Sequence, residues 1–221
     1  MKKQLAAALA GGMILAACQT TDAYTRETKT SNATKGAVIG AVAGAAIGAL
    51  TNTSDGKQAA KNAMIGAGVG ALGGAAAGGY MDKQEAELRE QLDGTGVSVT
   101  RSGDQIILNM PGDVTFGLGS AALNSDFYPV LTDVAIVLKK YPKTVVNIDG
   151  HTDTSGSADL NYNLSQERAN NVARYVIEQG IMPERFIVTG YGETRLKVPT
   201  GDGVKNATNR RVEIWLSPLT S

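Results

Sequence analysis

The chain has 221 residues, 43% of them apolar, enough for one ordinary domain and a smaller companion and too few for two large domains. Its 21 basic and 21 acidic residues cancel to a formal charge of zero, which removes the electrostatic attraction that nucleic-acid binding depends on, so nucleic acid is not an expected partner. The 27 glycines are concentrated in residues 36–79, and that stretch needs its own explanation.

Lys2 and Lys3 precede an uncharged Ala/Leu-rich run over residues 5–17, the order of a secretory signal. The run is too short to stay in a bilayer as a permanent spanning helix. It ends in Leu15-Ala16-Ala17-Cys18, which resembles the bacterial lipobox. That resemblance implies cleavage after residue 17, with Cys18 becoming diacylglyceryl-modified and N-acylated. Cys18 is also the only cysteine, so it has no intrachain disulfide partner. Several acyl chains, at about 0.8 kcal/mol per buried methylene, would hold the chain stably to a membrane. Gln19, in place of the aspartate that retains some lipoproteins at the inner membrane, implies an outer-membrane address with the protein on the periplasmic face. The plainer alternative is a spare thiol in a discarded leader.

Residues 18–35 are rich in Thr, Ser, Lys and Asn and offer little to bury, so they read as a flexible leader behind the lipidated cysteine. Gly36, Gly40, Gly44 and Gly48 then recur at every fourth position, and the pattern returns as Gly66, Gly70, Gly74 and Gly78. On a helix this spacing makes a small-residue ridge that another backbone can approach closely. With Ser54-Asp55-Gly56 as a turn signal, residues 36–80 are expected to form an antiparallel helical hairpin. Each interior glycine costs about 0.5–1 kcal/mol relative to alanine, so lipid or close packing in a homo-oligomer would have to compensate. At about 1.5 Å per residue the two helices come to roughly 22 and 27 Å, short of a hydrocarbon core of about 30 Å. A low-complexity apolar spacer is the alternative. Residues 81–95 are charged and helix-favouring, with Glu85 and Arg89 four apart, and read as a solvated helical linker that Gly94 and Gly96 terminate.

Residues 96–221 read as an α/β domain. Residues 97–100 and 105–109 alternate around a Gly103-Asp104 turn as a hairpin, and residues 114–116 suggest a short strand. A helix follows Asp126, with Val130, Leu131, Val134, Ile136, Val137 and Leu138 as its apolar face and Tyr141-Pro142 as its stop. Then come a strand over 145–150, a helix over 158–179, and strands over 185–190 and 211–216. Strands alternating with helices predict an α+β sandwich with helices on one face of a mixed sheet.

The residues with chemistry lie where strand passes into helix. Stepping by four along that helix gives Leu160, Leu164, Arg168, Val172 and Val176, which places Arg168 inside an apolar arc. A guanidinium there must be paired or must face a ligand, because an unpaired desolvated charge is expensive. Asp153, at the end of the preceding strand, is the candidate opposite pole, either as a structural ion pair closing the turn or as the second half of a ligand site.

Gly150-His151-Thr152-Asp153, Asn161, Leu164-Ser165, Arg168-Ala169, Gly190-Tyr191-Gly192-Glu193 and Asn209-Arg210-Arg211-Val212-Glu213-Ile214 resemble, in order and spacing, the OmpA-like peptidoglycan-binding domain. The glycine-rich part resembles the glycine-zipper segment ahead of some such domains, and the whole chain resembles lipoproteins of the YiaD type. The resemblance implies that the partner is the peptidoglycan stem peptide, with its diaminopimelate held by Asp153 and Arg168. Asn161, Thr154 and Leu164 would shape the pocket, Phe116 would wall it, and Arg211 would add a second positive group. Gly117 departs from the acidic or polar residue many family members carry after the phenylalanine, which implies a missing secondary contact. The expected function is therefore non-covalent tethering of outer membrane to cell wall; the alternative is a self-associating glycine-ridge membrane protein supporting envelope assembly.

No enzyme is expected. His151 is the only histidine, so no catalytic triad or histidine metal cluster can be assembled, and no cofactor is implied. It reads as a packed residue, and Gly190-Tyr191-Gly192 as a turn rather than a phosphate cradle.

Overall fold

The computed structural model describes residues 20–21, 28–29 and 56–220, apart from Leu118. The expected signal segment, Cys18 and the first glycine-rich helix lie outside the described residues. Thr20–Thr21 pairs antiparallel with Thr28–Lys29.

Five strands form one sheet: β1 (Ser98–Ser102), β2 (Gln105–Pro111), β3 (Thr144–His151), β4 (Phe186–Gly190) and β5 (Arg211–Pro218), in the spatial order β1-β2-β5-β3-β4. All neighbours are antiparallel except β3 and β4. That parallel pair requires a crossover, which α4 (Ala158–Glu178) supplies. In β2 every second residue is buried, so Ile106, Leu108 and Met110 enter the core. Val212, Ile214 and Leu216 do the same from β5, and Val146 and Ile148 from β3.

The helices α3 (Tyr128–Lys140) and α4 cover that face. Pro129 opens α3 and Lys139 and Lys140 sit in its last turn, where a cation complements the helix dipole. Ser157 caps α4 by accepting from the Leu160 amide. The buried stripe of α4 runs Asn161, Ser165, Arg168, Ala169, Val172, Ala173 and Val176. It is offset by one residue from the expected stripe at its start, so Leu160 is exposed at 60% while Arg168 is buried. Steps of four drift by about 40° each, so a helix of this length cannot keep both ends of a four-step series on the core. In α3 the expected Ile136 is 50% exposed, and Ala135 takes the inward place.

Two other expectations are corrected. Residues 112–115 form one helical turn (Gly112–Thr115) rather than a strand, because Gly112 lets the backbone approach the Arg210 carbonyl, to which its own amide donates at 2.8 Å. Residues 63–80 are not one helix. Helix α1 (Gly56–Gly66) stops, Gly68 takes φ +86°, and α2 (Gly74–Gln91) starts afresh and runs straight through the expected linker. The second helix is not merely solvated: Met81, Leu88 and Leu92 are buried in the same core as the sheet and α3. Helix α1 packs on the opposite sheet face, with Ala60 and Met64 against Val145 and Leu219. Cβ atoms added at Gly73, Gly78 and Gly79 would meet nothing within 4 Å. Among the described residues no helix is long and apolar enough to cross a membrane.

Candidate ligand-binding site

Four segments converge where β3 ends: the turn Gly112–Thr115 with Phe116, the Asp153 loop, the inner side of α4, and the residues leading into β5. Two glycines allow this closeness. A Cβ at Gly150 would overlap the Ser165 carbonyl, and one at Gly190 would come within 2.5 Å of the Gln166 amide nitrogen. Ser165 and Gln166 then bind the far strand, accepting from the amides of Gly192 at 2.8 Å and Gly190 at 2.7 Å.

Asp153 is 3% exposed and its carboxylate is fully engaged. Oδ1 accepts from the Ser155 hydroxyl at 2.6 Å and amide at 3.2 Å; Oδ2 accepts from the Asn206 amide at 3.0 Å and Arg210 Nη1 at 2.7 Å. Burial alone would raise its pKa, but the bonds from Ser155, Arg210 and Asn206 outweigh it and hold the group at about 2. Arg210 also reaches Asp113 through Nη2 at 2.9 Å and is thereby raised further in basicity.

Arg168 is 4% exposed and is not the ion-pair partner of Asp153. Its Nε donates to the Ser120 carbonyl at 2.9 Å, and the guanidinium lies 5.1 Å from the centroid of the buried Phe116 ring. Nη1 is buried without a partner among the described residues. Desolvation, then the like charge of Arg210, lowers its pKa from the usual arginine value. A desolvated cation packed on a ring and left with an unused donor is built to receive an anion.

A model of the OmpA family matches residues 115–210, and one of the YMGG-like Gly-zipper matches residues 1–82. Over 99% of its length the chain is 48% identical to the Probable lipoprotein YiaD of Escherichia coli (strain K12), all of which is covered. The chain belongs to the OmpA family. The chain also matches the Peptidoglycan-binding protein ArfA of Mycobacterium tuberculosis (strain ATCC 25618 / H37Rv), 36% identical over 47% of this chain and 32% of that one. Among solved structures it resembles a MotB-like protein from Desulfovibrio vulgaris, with a TM-score of 0.57 and 28% identity over 64% of this chain and 93% of that one. It also resembles the cell wall anchor of the T6SS from Pseudomonas aeruginosa, with a TM-score of 0.54 and 29% identity over 61% and 96%.

Within the OmpA-family domain the other expected site residues divide. Asn161 Nδ2 donates to the Asp153 carbonyl at 3.1 Å and to Glu193 at 2.6 Å, so it fixes the Asp153 loop to the turn after β4. Thr154 is committed to the 200–204 loop through Gly201 and Val204. Leu164 is half-buried, one turn before Arg168. Arg211 lies away from this cluster, its donors taken by Glu213 at 2.6 Å and by the Asn209 and Arg195 carbonyls. The second positive group beside Asp153 is Arg210. Strand alternation carries the signal that finds it: Val212, Ile214 and Leu216 point to the helices, which puts Arg210 on their side and Arg211 on the other. His151 is buried, stacked 5.5 Å from Tyr191, with neither ring nitrogen partnered among the described residues, and burial plus Arg211 lowers its pKa to about 4.

Proposed function

We propose that the protein binds peptidoglycan non-covalently through this cluster, with the free side-chain end of an uncrosslinked diaminopimelate as the ligand group. The observation that carries this reading is the unpartnered Nη1 of buried Arg168 beside Asp153. The ligand carboxylate takes Nη1 and the ligand ammonium takes Asp153. Because every acceptor site of Asp153 is filled, the ammonium must displace a donor. The Ser155 hydroxyl leaves most cheaply, by side-chain rotation and the loss of one charge-assisted hydrogen bond worth about 1.5–3 kcal/mol. Membership of the OmpA family, and similarity to a protein named as peptidoglycan-binding, support the polymer as partner.

In this reading Cys18 carries the lipid, the domain lies in the periplasm, and the chain ties outer membrane to wall. Co-sedimentation of the detergent-solubilised chain with sacculi tests it. Binding to diaminopimelate-type sacculi, lost in a folded Arg168→Ala variant and weakened on sacculi carrying lysine at that peptide position, is expected. Undiminished binding by Arg168→Ala would overturn it.

A further inference from the structure

The face of the sheet opposite α3 and α4 carries a groove that the Asp153 site does not use. A cavity of about 170 Å³ is lined by Asn147, Asp149, Thr189, Tyr191, Arg195 and Trp215, among others. A second of about 360 Å³ shares Gln105 and Asn147 with it and runs past Gln58 and Lys61 of α1. The two make one elongated depression across β3, and Asn147 stands where they meet.

Asn147 is 4% exposed, and neither its Oδ1 nor its Nδ2 has a hydrogen-bond partner among the described residues. Burying such an amide unsatisfied is costly, and a valine like its neighbours Val145 and Val146 would avoid the cost. A ligand amide can satisfy either atom, its C=O accepting from Nδ2 or its N–H donating to Oδ1. The walls supply the rest of the recognition. Trp215 Nε1 is held by Glu213 at 3.0 Å, which orients the indole, and Tyr191 carries the Arg195 guanidinium 3.8 Å from its ring centroid. Asp149 and Arg195 at one end and Lys61 and Asp104 at the other leave no excess of either charge, so a polyanion gains nothing there.

An elongated groove with the Trp215 indole in its wall, a buried amide and balanced charge fits a neutral chain of N-acetylated amino sugars. A pyranose offers an apolar C–H face to the indole, and its acetamido group an amide to Asn147. We infer that this groove is a glycan subsite, separate from the peptide site and recognising N-acetylhexosamine units of the same polymer. It rests on the peptidoglycan reading above.

Trp215 is the only tryptophan, so intrinsic tryptophan emission reads this groove. The solubilised full chain is titrated with chitotetraose, which has acetamido groups and no peptide, and with cellotetraose, which has neither. Chitotetraose is expected to change the emission saturably, and cellotetraose to bind about ten-fold more weakly or worse. Asn147→Leu should lose the chitotetraose response while melting no lower than wild type, since an unpartnered amide has been removed. Asn147→Ser, which leaves the groove open, should lose it too. Arg168→Ala should keep it. No response in wild type that still sediments with sacculi, or an unchanged response in both Asn147 variants, would overturn the glycan subsite alone. Failure of wild type to sediment with sacculi would instead overturn the peptidoglycan reading.

Discussion

Arg210 Nη1 lies 2.7 Å from Asp153 Oδ2, and this pair, rather than one between Asp153 and Arg168, closes the strand-to-helix turn. One arginine therefore holds the carboxylate in place while the other is left with an unused donor. Stability and binding should separate accordingly. Arg210→Ala strands a buried carboxylate and should cost about 3 kcal/mol in urea unfolding. Arg168→Met removes one hydrogen bond and an unsatisfied donor, so stability should stay within about 1 kcal/mol while sacculus binding is lost. A reversal, with Arg168→Met the more damaging to the fold, would mean that the roles have been exchanged.

Acid should destabilise the domain in two separate windows. His151 has a folded pKa of about 4 against 6.5 in the free side chain, so below 6.5 the unfolded chain takes up a proton that the folded one refuses. Stability should fall between those values by up to about 3 kcal/mol. Asp153 has a folded pKa of about 2 against 3.8, so its contribution is complete above 3.8 and is lost as pH falls toward 2, by about 2 kcal/mol. His151→Phe, which preserves the stack on Tyr191, should flatten the upper window only. Urea midpoints measured across the acid range would check this, and an unchanged upper slope in the variant would count against it.

Much of the sheet and both covering helices were legible because their apolar residues follow periods of two and 3.6 that no other arrangement satisfies. Arg168 was legible for the same reason, as a cation inside an apolar stripe. Arg210 was missed because two adjacent arginines look equivalent until the strand's alternation is extended one residue beyond its end. The turn Gly112–Thr115 was missed because Val114, Thr115 and Phe116 have strand-like side chains, whereas what decides the backbone is the approach of Gly112 to the Arg210 carbonyl. The end of α1 and the packing of α2 depend on surfaces of β3 and α3 that are distant in sequence, and local composition does not encode such contacts. Asn147 gave no sequence signal at all, since a lone polar residue in a strand reads as solvent-facing.

The approach of α4 to the strands should tolerate no side chain at Gly150. A methyl group there meets the Ser165 backbone, which belongs to the helix that carries Arg168. Gly150→Ala should cost about 3 kcal/mol or more through displacement of the helix, and should weaken sacculus binding along with it. Gly156→Ala, whose added Cβ meets the Asn161 side chain at 3.0 Å, should have the smaller effect because a side chain can shift more readily than a backbone. Thermal melts of the two variants give the comparison, and equal losses would mean that α4 yields more easily than its packing implies.

Helix α2 sets where the folding unit begins. Its inner side places Met81, Leu88 and Leu92 in the sheet's own core, and Glu87 on its flank accepts from Lys140 at 2.6 Å and the Tyr141 hydroxyl at 3.1 Å. A fragment starting at residue 96 removes all three apolar side chains and bares the surfaces of α3 and β2 that they covered. At about 1.5–3 kcal/mol for each buried side chain, the loss is about 5 kcal/mol or more, comparable to the whole stability of an ordinary domain. Residues 56–221 should therefore unfold cooperatively, whereas residues 96–221 should lose near-ultraviolet circular dichroism and bind a hydrophobic dye. Sacculus binding should follow the same division, since the peptide site is built on strands and helices that the missing core supports. A fragment from residue 96 that melted within a few degrees of the longer one would show that α2 merely rests on a domain complete without it.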